Sequence, residues 1–196
     1  MTFYDLAKGF VNGIMRLTFR FRVSGAENVP RTGGVVVAAN HISNFDPPIL
    51  GIALPRPISY MAKKELFAMP VLKQLLPHLN AFPVDRQAGG TAALRAALRM
   101  IKEGRCVGIF PEGGRTVTGT NEEKAGAAFL AAAAGVPVVP AAIVGTRNLR
   151  PLGKVTVVFG EPIRVTRNRK SVGRRAGRER RISRLLRPRF DGCTDR

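Results

Sequence analysis

Residues 35–48 read VVVAANHISNFDPP, and the change of character along this stretch indicates how the chain folds. The first five are apolar throughout, with no alternating polar residue, which is typical of a strand buried on both faces. Ser43 and Asn44 are turn formers, and two prolines then favour the start of a helix. A buried strand that leads through a loop into a helix is typical of a parallel sheet covered by helices.

Similar apolar runs recur along the chain and alternate with helix candidates. We expect strands near 35–39, 59–62, 81–84, 105–110, 138–144 and 155–159. We expect helices near 47–54, 65–76, 91–103 and 121–134. The predicted fold class is therefore α/β, a single layered domain with a largely parallel or mixed central sheet flanked by helices, and with its functional groups on loops at the strand ends.

Both ends of the chain differ from this pattern. Residues 1–22 are expected to form an N-terminal amphipathic helix with a basic side, which either packs on its own domain or lies in a membrane interface, or does both in part. Residues 23–163 are expected to form the layered domain. Residues 164–196 are rich in Arg, Gly and Ser, so we expect a basic, disordered tail. A lipid-binding arm, a nucleic-acid-binding arm and a frameshifted end of the reading frame all remain open for it.

Charge restricts the partners without choosing one. The 196 residues carry a formal net charge of +19, and about half of it comes from the 13 basic and three acidic residues at and after Arg164. Nucleic acid, anionic lipid headgroups and phosphorylated substrates or acyl carriers are the candidates. The chain has no Trp, and both Tyr lie outside the tail, so we expect no specific nucleic-acid partner.

Other compositional features exclude several classes of protein. Two cysteines give no disulfide framework, and no Cys/His spacing suggests a metal site, so neither a metal nor a bound cofactor is expected. The N-terminus has no export signal, which favours the cytoplasm. Residues 125–145 are uncharged, but Gly135, Pro137 and Pro140 divide them into a helix and a strand rather than a membrane span.

His41 and Asp46 are the candidate catalytic pair. A spacing of five puts them about 140° apart around a helix or roughly 16 Å apart in a strand, so neither regular structure pairs them. A bend through Ser43 and Asn44, with Asp46 capping a helix that starts at the prolines, would bring the carboxylate to one imidazole nitrogen. A histidine oriented in this way can accept the proton of an alcohol that attacks a carbonyl. The chain has no Gly-x-Ser-x-Gly motif, and Cys106 lies within a strand, so we expect His41 to activate the substrate's own alcohol for direct transfer, with no covalent intermediate on the protein.

A second segment, Phe110–Thr116, places a carboxylate, two glycines and a guanidinium directly after an apolar strand. Glycines let backbone amides approach a ligand closely, and guanidinium groups match phosphate oxygens. Arg86 follows the third expected strand in the same way. The candidate substrate-binding residues are Arg86, Glu112, Gly113 and Arg115.

These segments resemble the signature blocks of the bacterial 1-acylglycerol-3-phosphate O-acyltransferase (lysophosphatidic acid acyltransferase) family of glycerolipid acyltransferases. The first family block, Asn-His-x-x-x-x-Asp, is matched by Asn40, His41 and Asp46. The third, Phe-Pro-Glu-Gly-Thr-Arg-Ser, is matched at Phe110, Pro111, Glu112, Gly113 and Arg115. Gly114 lacks the hydroxyl of the family's threonine, whereas Thr116 keeps one in place of serine. Two weaker blocks, at 81–86 and 136–143, occur in the family's order, and the resemblance covers residues 20–163.

The resemblance implies an enzyme that moves a fatty acyl group from acyl-CoA or acyl-acyl carrier protein to the free hydroxyl of 1-acylglycerol 3-phosphate, giving phosphatidic acid. It implies that the first block is catalytic and that Arg86 and the third block bind the glycerol phosphate. It also implies peripheral or monotopic contact with an anionic membrane at the cytoplasmic face of the cell membrane. The alternatives are a related acyltransferase with another lipid acceptor, and an inactive acyltransferase-like domain that binds nucleic acid through its basic surface.

Overall fold

One mixed β-sheet with helices on both faces forms the centre of the molecule. The structure is a computed structural model, and it describes residues 2–84, 91–110 and 126–165. The strands are β1 (Arg20–Ser24), β2 (Val35–Ala39), β3 (Ile58–Lys63), β4 (Ala81–Val84), β5 (Cys106–Ile109), β6 (Pro137–Val144), β7 (Lys154–Phe159) and β8 (Ile163–Arg164). The helices are α1 (Phe3–Thr18), α2 (Asp46–Ala53), α3 (Pro70–His78), α4 (Thr91–Lys102) and α5 (Gly126–Ala134), with short 3₁₀ turns at Ala26–Asn28 and Lys64–Ala68.

The strand order is β1-β7-β6-β2-β5-β3-β4, and β8 pairs with β6. Strands β6, β2, β5, β3 and β4 run parallel to one another, whereas β7 is antiparallel to β6 and parallel to β1. The predicted fold class is confirmed, including the mixed sheet and the N-terminal helix. Because β2 lies between β6 and β5, its carboxyl end is at the middle of the sheet edge.

Burial explains why β2 takes the central position. Its five side chains are at most 1% exposed, and they alternate between two hydrophobic clusters. On one face, α1 and α2 cover the sheet with residues such as Met15 and Leu50. On the other face, α4 and α5 cover it with residues such as Ile101 and Leu130. Because every residue of this valine and alanine run is apolar, β2 can pack against the helices on both faces of the sheet.

Two strands and two helices differ from the sequence prediction. The helix expected near 65–76 is divided into the 3₁₀ turn Lys64–Ala68 and α3, which begins at Pro70, because a proline disfavours the helical conformation in the residue before it and is accommodated at the first helical position. The amphipathic helix ends at Thr18, and Arg20–Ser24 forms the edge strand β1, so residues 1–22 contain more than a helix. Strand β1 was not predicted because its five residues alternate in burial and directly follow a helical pattern. Strand β8 has only two residues, too few to give a periodic signal. Residues 166–196, which include most of the predicted tail, lie outside the described residues.

Helix α1 packs through one side and leaves large apolar side chains on the other. Its N-terminus is closed by a capping box between Thr2 and Asp5, and Lys8 Nζ donates to the carbonyl of Leu54. Its exposed apolar side chains are Phe3, Leu6, Phe10, Ile14 and Leu17. Within the described ranges, no helix is long and apolar enough to cross a membrane.

Candidate active site

The backbone before His41 is fixed by an asparagine that joins two strands. Asn40 Nδ2 donates to the Ile143 carbonyl at 2.9 Å, and the Ile143 amide donates to Asn40 Oδ1 at 2.7 Å. This pair of bonds continues the β2–β6 ladder by one side chain. It therefore sets the direction in which the chain leaves β2 at His41.

The contact predicted between His41 and Asp46 is present. Nδ1 of His41 lies 3.2 Å from Oδ2 of Asp46. The same Oδ2 accepts hydrogen bonds from the backbone amides of Ile42 and Ser43, each at 2.6 Å. The Asp46 side chain is fully buried, whereas the His41 side chain keeps 18% of its exposure. A carboxylate fixed by three donors holds Nδ1 and leaves Nε2 as the nitrogen that is free for chemistry.

The prediction that Asp46 caps the following helix is wrong. Helix α2 begins at Asp46 itself, Phe45 occupies the N-cap position, and no side chain caps the helix. The backbone amides of the first helical turn make no hydrogen bond within the helix, so the prolines after Asp46, which lack an amide hydrogen, are accommodated there. The Asp46 carboxylate turns back to the preceding loop instead of binding the amides of its own helix. The three hydrogen bonds of Oδ2 therefore hold the loop that carries His41.

Electrostatics keep the Asp46 carboxyl charged. Burial on its own would raise its pKa, but the donors around it, namely His41, the Ser43 amide, the nearby Thr146 hydroxyl and the Ile42 amide, outweigh burial and lower the pKa below its ordinary value. At neutral pH the group is a carboxylate. It can stabilise an imidazolium when His41 accepts a proton.

An aromatic row supports the face of the His41 ring. The ring stacks on Phe110, with centroids 4.4 Å apart and planes 29° apart. Phe110 lies in turn beside Tyr60, whose hydroxyl donates to the Pro47 carbonyl at 2.8 Å. A side chain larger than hydrogen at Gly108 would overlap the Tyr60 ring, so glycine there makes room for the row. The imidazole is thus held at one edge by Asp46 and on one face by Phe110.

Thr146 is a residue of the site that the sequence analysis missed. It is buried, and its hydroxyl is near enough to Asp46 to help lower the pKa of that carboxyl. Neither Asp46 Oδ1 nor Thr146 Oγ1 has a hydrogen-bond partner of normal geometry. Thr146 follows Gly145, which has a φ of +90° and where a Cβ would collide with the carbonyl oxygen of Lys154. A glycine and a hydroxyl directly after a buried strand were the available signal, but nothing in the sequence linked them to Asp46.

Arg86, Glu112, Gly113 and Arg115, predicted to bind substrate, lie outside the described residues. The strands that precede them along the chain, β4 and β5, are parallel to β2 in the sheet. Their carboxyl ends therefore lie at the same sheet edge as the carboxyl end of β2, which carries His41.

Cys106 and His78 have surroundings that do not suit catalysis. Cys106 is buried in β5, and burial raises the pKa of its thiol to about 12, so it remains protonated at neutral pH. His78 is exposed on α3, with its Nδ1 2.7 Å from the Gln74 carbonyl. In the described part of the chain, no group of three or more His, Cys, Asp or Glu side chains could hold a metal ion.

Comparisons with known proteins agree on one family. A family model described as Acyltransferase matches residues 20–144. A 1-acyl-sn-glycerol-3-phosphate acyltransferase of Bacillus subtilis (strain 168) is 37% identical over 167 residues, which is 82% of each chain. One with the same name from Borreliella burgdorferi is 33% identical over 64% of this chain and 52% of its own. The crystal structure of the 1-acyl-sn-glycerophosphate (LPA) acyltransferase PlsC from Thermotoga maritima matches with a TM-score of 0.75 and 28% identity, covering 93% of this chain and 76% of that one.

Proposed function

This chain belongs to the acyltransferase family, and we propose that it transfers a fatty acyl group from an acyl thioester to the free hydroxyl of 1-acylglycerol 3-phosphate, giving phosphatidic acid. The acceptor is inferred from the names of its relatives, and the reaction type is supported by the site itself. The observation that carries the proposal is the buried, triply bonded Asp46 carboxylate against Nδ1 of His41.

In the proposed mechanism His41 is the general base. As the acceptor hydroxyl oxygen attacks the thioester carbonyl carbon, its proton moves to Nε2 of His41, and the Asp46 carboxylate stabilises the resulting imidazolium. The tetrahedral intermediate then collapses, the carbon–sulfur bond breaks, and the departing thiolate takes the proton back from His41. General base catalysis of this kind typically contributes about 10² to 10⁴ in rate. No protein nucleophile is needed, which fits the protonated Cys106 thiol.

We assign the phosphate of the acceptor to Arg86 and Arg115, with Glu112 and Gly113 forming part of the same binding segment. Guanidinium groups stay charged at every physiological pH and bind phosphate oxygens in pairs. Both acyl-CoA and acyl-acyl carrier protein present a thioester, so either one suits the proposed chemistry as donor. Neither a metal nor a cofactor takes part in the proposed reaction.

We further propose that the protein works as a peripheral or monotopic protein at the cytoplasmic face of the cell membrane. On the exposed apolar side of α1, Phe3 meets the edge of the His78 ring, yet Phe3, Leu6, Phe10, Ile14 and Leu17 all remain exposed among the described residues. An amphipathic helix of this kind can lie in the bilayer interface. The acceptor and the product are lipids, so such a position would give the site direct access to both.

The test is a thioester-consumption assay with lysophosphatidic acid, offering acyl-CoA and acyl-acyl carrier protein in separate reactions. Wild type should form phosphatidic acid, and His41→Ala should lose about 10² or more in rate. His78→Ala is the matched control, because that histidine is exposed on α3 and should leave the rate unchanged. Full activity in His41→Ala would overturn the catalytic assignment. Competition between acceptors would separate this reaction from transfer to another lipid.

A further inference from the structure

The loop between β6 and β7 holds a leucine in an unfavourable position. Residues 150–153 form a turn in which the Gly153 amide donates to the Arg150 carbonyl at 2.9 Å. Pro151 and Leu152 are its central residues, and Leu152 has a φ of +61°. Glycine or asparagine is favoured at that place in such a turn, because other side chains are strained there. The Leu152 side chain is also 69% exposed, so burial within the protein does not offset the strain.

This turn is joined to the end of α1. The Leu152 amide donates to the Thr18 carbonyl at 2.7 Å, and the Arg20 amide donates to the Gly153 carbonyl at 2.9 Å. Leu17, the next residue back along α1, is 86% exposed. The leucine of the turn thus continues the exposed apolar side of the helix.

The same loop lies at the sheet edge that carries the candidate active site. Its second residue is Thr146, which lies beside the Asp46 carboxyl. Strand β6 is parallel to β2, so the loop and His41 leave the sheet at one edge. A surface that bound this loop would therefore be brought close to the site.

Positive charge surrounds the apolar tip. Arg147 and Arg150 are exposed on the loop, Arg16 is exposed in the last turn of α1, and Arg20 is exposed at the start of β1. The loop sequence, residues 147–153, contains no acidic residue. An exposed apolar side chain among guanidinium groups matches the boundary of an anionic bilayer, where the leucine enters the acyl region and the arginines bind lipid phosphates.

We propose that residues 147–152 form a membrane-contact loop that binds an anionic bilayer surface together with α1 and holds the sheet edge carrying His41 against it. The inference rests on the proposed function in one respect, since an enzyme acting on a membrane lipid has a use for this orientation. It identifies a second contact element with its own residues, separate from α1.

The experiment is co-sedimentation of the full chain with phosphatidylcholine vesicles, with and without phosphatidylglycerol. Leu152→Gly should weaken binding to both kinds of vesicle by about tenfold or more, because one leucine side chain no longer leaves water. Glycine also relieves the positive φ, so the thermal midpoint should stay equal or rise; a purely structural leucine would give the opposite shift.

The electrostatic contribution is tested with the double variant Arg147→Gln, Arg150→Gln. This pair should weaken binding to the anionic vesicles by about tenfold and leave binding to the neutral ones unchanged. Arg31→Gln with Lys102→Gln is the matched control, since it removes equal charge from exposed positions before β2 and at the end of α4, toward the opposite sheet edge. The segment from residue 164 is present in every variant, so differences report on the loop.

Activity separates this inference from the proposed function. Both loop variants should transfer acyl groups to a monomeric, short-chain lysophosphatidic acid at the wild-type rate, but more slowly when the acceptor is embedded in vesicles. Wild type that transfers nothing to the monomeric acceptor would contradict the proposed function, while the vesicle-binding result would still stand. Wild-type vesicle binding by Leu152→Gly and by the arginine pair would overturn the loop proposal. A raised KM for acyl carrier protein with unchanged vesicle binding would also overturn it, and would indicate an acidic protein partner.

Discussion

Replacing Asp46 by asparagine tests the candidate site most directly, because it changes charge with almost no change in shape. In the native protein Oδ2 takes part in one interaction with His41 and accepts two backbone hydrogen bonds. A hydrogen bond to a charged group is worth about 1.5–3 kcal/mol, against about 0.5–1.5 kcal/mol for a neutral one. Three bonds weakened by about 1 kcal/mol each predict a loss of roughly 3 kcal/mol of stability. Domains of this size are stable by about 5–15 kcal/mol, so Asp46→Asn should still fold.

The effect on the rate should be larger than the effect on the fold. Without the carboxylate, the His41 imidazolium that forms during transfer loses its stabilising charge and the tautomer with Nε2 free is no longer enforced. We expect kcat to fall by about 10² to 10⁴. The assay is thioester consumption at saturating donor and acceptor, with urea unfolding of the same samples to report stability.

Two results would refute this reasoning. Because Asp46 is proposed to act through His41, adding Asp46→Asn to His41→Ala should lower the rate no further, and multiplicative losses would show that Asp46 acts independently. The stability loss should also depend on pH. Since the folded pKa of Asp46 is lowered, its contribution is fully present above the unfolded value of about 3.9 and disappears as pH falls through the folded pKa. Destabilisation that persists unchanged at lower pH would show that the charge is not its source.

Three further substitutions test the support around the dyad. Thr146→Val should lower kcat by about tenfold or less and raise the pKa of Asp46, seen as a shifted pH dependence of unfolding, whereas Thr146→Ser should behave as wild type. Gly145→Ala should lower the free energy of unfolding, measured in urea, by about 2 kcal/mol or more, because the new Cβ collides with the Lys154 carbonyl and the backbone has a positive φ. Gly135→Ala is its control: the φ there is also positive but the space is open, so the loss should be only about 1 kcal/mol. Asn40→Ala should cost about 1–3 kcal/mol by removing both bonds to Ile143, and an unchanged unfolding midpoint would exclude a clamping role.

The sheet could be predicted because its strands carry a strong local signal. Residues 35–39 and 81–84 were predicted with the observed bounds, since runs of apolar residues flanked by turn formers leave little choice of structure. Strand β1 has no continuous apolar run; Arg20–Ser24 instead alternates polar and apolar residues, a weaker strand signal that was overlooked because it directly follows the helical pattern of α1. Its arginines face solvent at the sheet edge, and it pairs with β7, more than 130 residues later. The alternation indicates a strand but not its partner, which tertiary contacts decide.

The His41–Asp46 contact could be predicted for a different reason, namely that regular structure excluded every alternative to a bend. The exact geometry of the bend could not be predicted. Whether Asp46 caps the helix or begins it depends on a single backbone position at Phe45, and sequence patterns do not fix helix ends to one residue. The outcome matters for function, because a capping carboxylate would have been partly occupied by the helix amides. As the first residue of α2, Asp46 directs its bonds to the His41 loop.

The order of the strands explains why the remaining contacts of His41 escaped prediction. Strands β6, β2 and β5 are neighbours and run parallel, so the residues that follow them leave the sheet side by side at one edge. They are Thr146 after β6, His41 after β2 and Phe110 after β5. Because β2 is in the middle, the Phe110 ring after β5 stacks on His41 from one side, and Thr146 after β6 lies beside Asp46 on the other. The sequence indicates where each strand ends but not which strands are adjacent. In a different strand order the same three loops would lie apart and would not form one site. Strand β2 is buried along all five residues, and an interior place between β6 and β5 covers both of its edges, so the position that buries residues 35–39 is also the one that places His41 between Phe110 and Thr146.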